Sequence, residues 1–77
     1  MPHIHVKMIA GRTDEQKNVL AKALEKAMAE AIGVESKYIS IAIDDYTAEE
    51  WQDVFKAEIA ENEKLYKEPG YDPKILL

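Results

Sequence analysis

Met1 is followed at once by Pro2, and a small second residue permits removal of an initiator methionine. The chain would then start on a secondary amine, which no other standard amino acid can supply. An α-amino group titrates at about 7.7–8.0. Burial or a neighbouring cation lowers that value by disfavouring the charged form. A base poised near neutral pH suits proton transfer at a carbon next to a carbonyl. The plain alternative is that Pro2 only opens a strand, a place proline tolerates, and the dipeptide alone favours this. His3 and His5 stand two apart, a spacing able to chelate zinc on one strand face. No third ligand stands out in the sequence, so they read as a solvent-facing or interface pair. Asp44-Asp45 reads as turn chemistry ahead of a helix.

The elements that must position Pro2 follow from periodicity. From Pro2 to Ile9, Ile4, Val6 and Met8 alternate with His3, His5 and Lys7, which predicts a half-buried strand. Ala10-Gly11-Arg12 interrupts it. Thr13 with Gln16 forms a capping box, Asp14 and Glu15 suit the positive end of a helix dipole, and Gly33 stops that helix. Its apolar stripe includes Val19, Leu20, Leu24, Met28 and Ile32. A second strand spans Tyr38 to Asp44, with Ile39, Ile41 and Ile43 on one face and Tyr38, Ser40 and Ala42 on the other. Thr47 and Glu50 make a second capping box, opening a helix whose apolar side carries Trp51, Val54, Phe55, Ile59, Leu65 and Tyr66 until Pro69-Gly70 ends it. Glu58 and Asn62 interrupt that stripe, marking a subunit boundary or a bend. The tail to Leu77 reads as loop or a short arm.

Strand, helix, strand, helix in this order predicts an α/β (α+β) fold: a β-α-β-α subunit with two parallel strands joined by a right-handed crossover. Both helices are expected on one face. Two parallel strands are not a stable sheet alone, and the face of Tyr38, Ser40 and Ala42 is too apolar for open water. A homodimer with a four-stranded sheet answers both problems.

Composition agrees. The 77 residues form one domain, 1–77. A core of this size supplies only about 3–5 kcal/mol without staples or partners, and there is no cysteine to make a disulfide or a thiolate site. Fifteen acidic against ten basic residues, a net charge of -5, speak against nucleic acid. No apolar run approaches the roughly 20 residues of a membrane span, and MPHIHVK has no apolar leader segment. A cytoplasmic protein is expected.

Pro2-His3-Ile4, the block Gly11-Arg12-Thr13-Asp14-Glu15-Gln16-Lys17 and Ile39-Ser40-Ile41 together resemble the 4-oxalocrotonate tautomerase family over essentially the whole chain. The stretch from Glu50-Trp51 through Ala57-Glu58-Ile59 to Lys67-Glu68-Pro69-Gly70-Tyr71 is similar to its PptA-like dimeric branch. The resemblance implies a cofactor-independent keto–enol tautomerase, with Pro2 as catalytic base after Met1 is lost. It implies that Arg12 binds the carboxylate of a small enol or keto acid, a task suited to the planar guanidinium fork. The plain alternative for Arg12 is a solvated residue or a strand cap. Trp51 matches an aromatic pocket wall that lowers the local dielectric, or packs simply as core.

Where hexameric members carry a second arginine, this chain has Ser40, able to donate one hydrogen bond or to serve as a small interface residue. A monocarboxylate enol such as phenylenolpyruvate is therefore easier to accommodate than a dicarboxylate. Glu58 is either a second acid or an intersubunit hydrogen-bond partner. No metal or other cofactor is expected. The alternatives are a promiscuous proline-dependent hydratase or imine-forming enzyme, and a non-catalytic dimeric binding protein of the same fold.

Overall fold

The computed structural model describes residues 1–77. Strand β1 (His3–Ile9) leads through Gly11 into helix α1 (Asp14–Ile32). A short 3-10 turn (Ser36–Tyr38) precedes strand β2 (Ser40–Tyr46), which is followed by helix α2 (Ala48–Phe55). A single π-helical turn (Lys56–Ala60) and, further on, a 3-10 turn (Pro73–Leu76) complete the order. No helix is long and apolar enough to cross a membrane.

Local chemistry explains the starts and stops. Thr13 Oγ1 accepts from the Gln16 amide at 3.1 Å, and the Gln16 side chain accepts from the Thr13 amide at 2.8 Å. Thr47 and Glu50 repeat the same reciprocal pair at 3.1 and 2.8 Å. Each box satisfies donors that the first helical turn leaves unpaired. Gly33 stops α1 in the left-handed conformation with φ 66°, where a Cβ would be strained. Gly11 at φ 135° turns the chain between β1 and α1.

The two strands pair in parallel, His3 opposite Ser40 through Ile9 opposite Tyr46. β2 thus starts and ends two residues later than the pattern Tyr38 to Asp44 predicts, because Ser36–Tyr38 close a 3-10 turn first. Asp44 and Asp45 are consequently strand residues rather than turn formers. They point to opposite faces, and each meets a basic side chain: Asp44 is bonded to His5, and Lys17 of α1 donates to Asp45.

These pairs also assign the faces. Asp45 shares the face of Ile4, Val6, Ile41 and Ile43, so α1 covers it. Tyr46 and Lys7 share the opposite face, where Trp51 approaches the Tyr46 ring at 6.3 Å and Glu58 pairs with Lys7. The two helices therefore do not share a face. α2 overlies only the carboxyl-terminal end of the second one.

The second helix is also shorter than its apolar stripe predicts. After Phe55 the backbone widens into the π turn and ends. The Asn62 side chain donates to the Glu58 carbonyl at 2.9 Å and accepts from the Lys64 amide at 2.9 Å, which closes the helix end. The polar interruptions at Glu58 and Asn62 thus mark the termination. Leu65 and Tyr66 lie beyond it, with Tyr66 fully exposed.

Trp51, at 8% exposure, is the one buried residue. The chain exposes 6046 Å², against about 4,700 Å² for a compact monomer of its size. Its radius of gyration is 14.1 Å, where about 11.5 Å is usual for such a length.

Candidate active site

The site residues read from the sequence fall into two groups at opposite ends of the sheet. At the amino-terminal end, the Ser40 amide donates to the Pro2 carbonyl at 3.3 Å, extending the ladder by one bond. The Ser40 hydroxyl is hydrogen-bonded to His3 Nδ1 at 2.6 Å. The neighbouring His5 is committed to Asp44, and no third ligating side chain joins the two histidines. Pro2 is half-buried, whereas Met1 is almost fully exposed.

At the carboxyl-terminal end lies an open cleft of about 500 Å³, floored by Lys7, Met8 and Ile9 and bounded by Arg12, Trp51 and the segment Tyr71 to Leu76. Gly11 and the helix start at Thr13 place Arg12 at its rim. Arg12 Nη1 donates to the Ile9 carbonyl at 3.3 Å, so it does cap the strand end, and no carboxylate pairs with it.

Lys7, the other cation, is neutralised: its ammonium donates to Glu58 at 2.8 Å. That hydrogen bond raises the Lys7 pKa above its ordinary range and holds the Glu58 carboxyl below its own. Glu58 is thus an ion-pair partner within its own chain. One cation with a free charge faces the cleft, and that cation is Arg12.

Trp51 is placed by the capping box at Thr47 and held from two sides. Its ring approaches Tyr46, and its indole N–H donates to the Tyr71 hydroxyl at 2.9 Å. Tyr71 in turn stands edge-on to Phe55 at 5.6 Å. Trp51 is therefore buried and at the same time lines the cleft. Lys7, Tyr71, Ile75 and Leu76 are lining residues that the sequence did not single out. A tyrosine followed by the apolar run Ile75-Leu76-Leu77 in the tail was the one signal available.

In one chain, Pro2 and Ser40 are thus brought together, and so are Arg12 and Trp51, but the two pairs are not. The seven residues of β1 separate them by about 20 Å at 3.3 Å per residue.

A family model described as Tautomerase enzyme matches residues 2–53. YwhB, described as a homologue of 4-oxalocrotonate tautomerase, is 35% identical, with a TM-score of 0.62 over 64% of this chain and 80% of its own. The chain belongs to the 4-oxalocrotonate tautomerase family. A 4-oxalocrotonate tautomerase isozyme structure from Methylibium petroleiphilum aligns with a TM-score of 0.62 and 34% identity, over 65% of this chain and 81% of that one.

Among proteins characterised by name, the tautomerase PptA of Escherichia coli O139:H28 is 38% identical over 92% of this chain and 97% of its own. A probable tautomerase of Xylella fastidiosa is 38% identical over 92% and 89%. This tautomerase is accordingly an isomerase with the β-α-β-α subunit of its family.

Proposed function

We propose that this tautomerase interconverts the enol and keto forms of a 2-hydroxy/2-oxo acid such as phenylenolpyruvate, at a site completed by a second copy of the chain. Pro2, freed by removal of the exposed Met1, is the base. Its neutral nitrogen takes the proton from the enol hydroxyl. As the C–O bond becomes a carbonyl, the carbon–carbon double bond opens and C3 accepts a proton from the prolinium. The substrate's one carboxylate sits on the Arg12 guanidinium, which draws electron density toward it, and Trp51 walls the apolar part.

The observation that carries the reading is the separation of the base from its pocket. Both strands are sheet edges. A two-fold axis pairing β1 with β1 of a second copy makes them antiparallel. The Pro2 end of each chain then meets the Ile9–Arg12 end of the other, in a four-stranded homodimeric sheet. Pairing through β2 instead would leave base and pocket apart. The surplus of about 1,300 Å² over a compact monomer exceeds the roughly 800 Å² per partner of a standard interface. The lack of cysteine supports a cytoplasmic setting.

The test is ketonisation of phenylenolpyruvate, followed by ultraviolet absorbance, with protein whose mass confirms loss of Met1. Turnover is expected and should fall by about 10²–10⁴-fold in Pro2→Ala, the usual contribution of a positioned acid–base group. Turnover that survives Pro2→Ala would discard the proline mechanism.

A further inference from the structure

The outer wall of the cleft lies beyond the matched residues 2–53. It is built by the carboxyl-terminal segment, which is held on α2 by polar contacts. Besides the bond between Trp51 and Tyr71, the Gln52 side-chain amide donates to the Pro73 carbonyl at 2.9 Å. Asp72 caps the 3-10 turn through the Lys74 amide at 2.9 Å, and the Ile75 amide donates to the Asp72 carbonyl at 3.1 Å. This polar docking leaves the turn's apolar side chains free: Ile75 is 72% exposed and lines the cleft with Leu76. An exposed isoleucine presented on a fixed turn beside a single free cation describes a site with one charged end and one apolar end. The ion pair of Lys7 with Glu58 removes the second positive charge that a dicarboxylate would need.

We propose that the segment Tyr71–Leu76 is the specificity element of this tautomerase. Ile75 and Leu76 receive the aryl group of a monocarboxylic substrate anchored on Arg12, and Tyr71 positions Trp51 between the two ends. The identity of the reacting enol rests on the function proposed above, whereas the binding preference does not depend on Pro2.

Trp51 is the only tryptophan, so its fluorescence reports on the cleft directly. The experiment titrates the full-length protein, and separately Pro2→Ala, with 3-phenylpropanoate and with glutarate, neither of which can tautomerise to an enol acid. Both proteins should bind 3-phenylpropanoate at least about tenfold more tightly than glutarate, the scale on which pockets sort apolar groups. Ile75→Lys, at an exposed position that tolerates charge, should reverse that preference and lower kcat/KM for phenylenolpyruvate.

Tyr71→Phe should shift the Trp51 emission and reduce kcat more than it raises KM, with unchanged far-ultraviolet circular dichroism. Equal affinities for the two acids in the unmodified protein, or a preference that Ile75→Lys leaves intact, would overturn the assignment. Unchanged emission and kinetics in Tyr71→Phe would overturn the positioning role. If turnover survives Pro2→Ala while the titrations behave as expected, the proline mechanism fails and the specificity wall stands. If turnover requires Pro2 but Ile75→Lys changes nothing, the reverse holds.

Discussion

The two ends of the sheet differ in what they offer, and the function proposed above makes them complementary halves of one site. The amino-terminal end has a candidate base, Pro2, beside small and polar neighbours in His3 and Ser40, with no cleft around it. The carboxyl-terminal end has a cleft with one free cation and an aromatic wall, and Pro2 is not among its lining residues. Edge strands and helix starts place them differently. A strand's first residue is held by a single ladder bond and can contribute a terminal amine. A strand-to-helix turn can gather side chains from three elements around one space. On the function proposed above, neither end isomerises an enol acid alone, and association serves the chemistry as well as stability.

The largest expected effect breaks this comparison outright. Pro2→Ala and Arg12→Ala should each be strongly impaired at subsaturating substrate, yet mixing and exchanging them should restore activity. Random pairing makes half the dimers mixed, and each mixed dimer holds one intact site of two, so about a quarter of the unmodified rate should return. No recovery after confirmed subunit exchange would place both residues in one chain's site and discard the two-copy arrangement.

Next in size is the pocket end by itself. Arg12→Ala should raise KM for phenylenolpyruvate by roughly ten- to a hundredfold, the worth of a charge-assisted hydrogen bond. Arg12→Lys should fall between, since it keeps the charge but loses the fork. A KM unchanged in both would remove Arg12 from carboxylate binding.

The two helix caps sharpen the comparison further. Thr13→Ala and Thr47→Ala should each cost about 1 kcal/mol, seen as a lowered melting temperature. Only Thr47→Ala should also disturb Trp51 fluorescence, because its helix carries Trp51. The same spectrum change in both would mean that the cleft is not local to α2.

The smallest effect is on pH dependence. Glu58 has a lowered folded-state pKa, so its contribution is present above the ordinary carboxylate value and is lost as pH falls through the folded one. Lys7 and Lys17 are raised above 10.5, so theirs hold below that value and fade as pH climbs through the folded values. Melting temperature should therefore be flat between these limits and decline modestly outside them. Glu58→Gln should flatten part of the acid decline, and an unaltered acid limb would contradict the role of the Lys7–Glu58 pair.

The order of elements, the caps at Thr13 and Thr47 and the stop at Gly33 were all determined by the sequence, because each rests on contacts within a few residues. Period-two and period-3.6 patterns likewise reveal which side of an element is apolar. They do not reveal where an apolar pattern stops being helical. Leu65 and Tyr66 continue the spacing, but Asn62 closes the helix through its own side-chain bonds and Glu58 turns to Lys7, far away in sequence.

The candidate site divides in the same way. Pro2, Arg12 and Trp51 were visible as residues, through their chemistry and the family resemblance. That Lys7 is neutralised, that Tyr71 holds Trp51 and that Ile75 faces the cleft depend on pairs 51, 20 and more residues apart. Only the tertiary structure decided that β1 sets Pro2 and the cleft at opposite ends, since the length and direction of a strand become a distance only when the chain is folded.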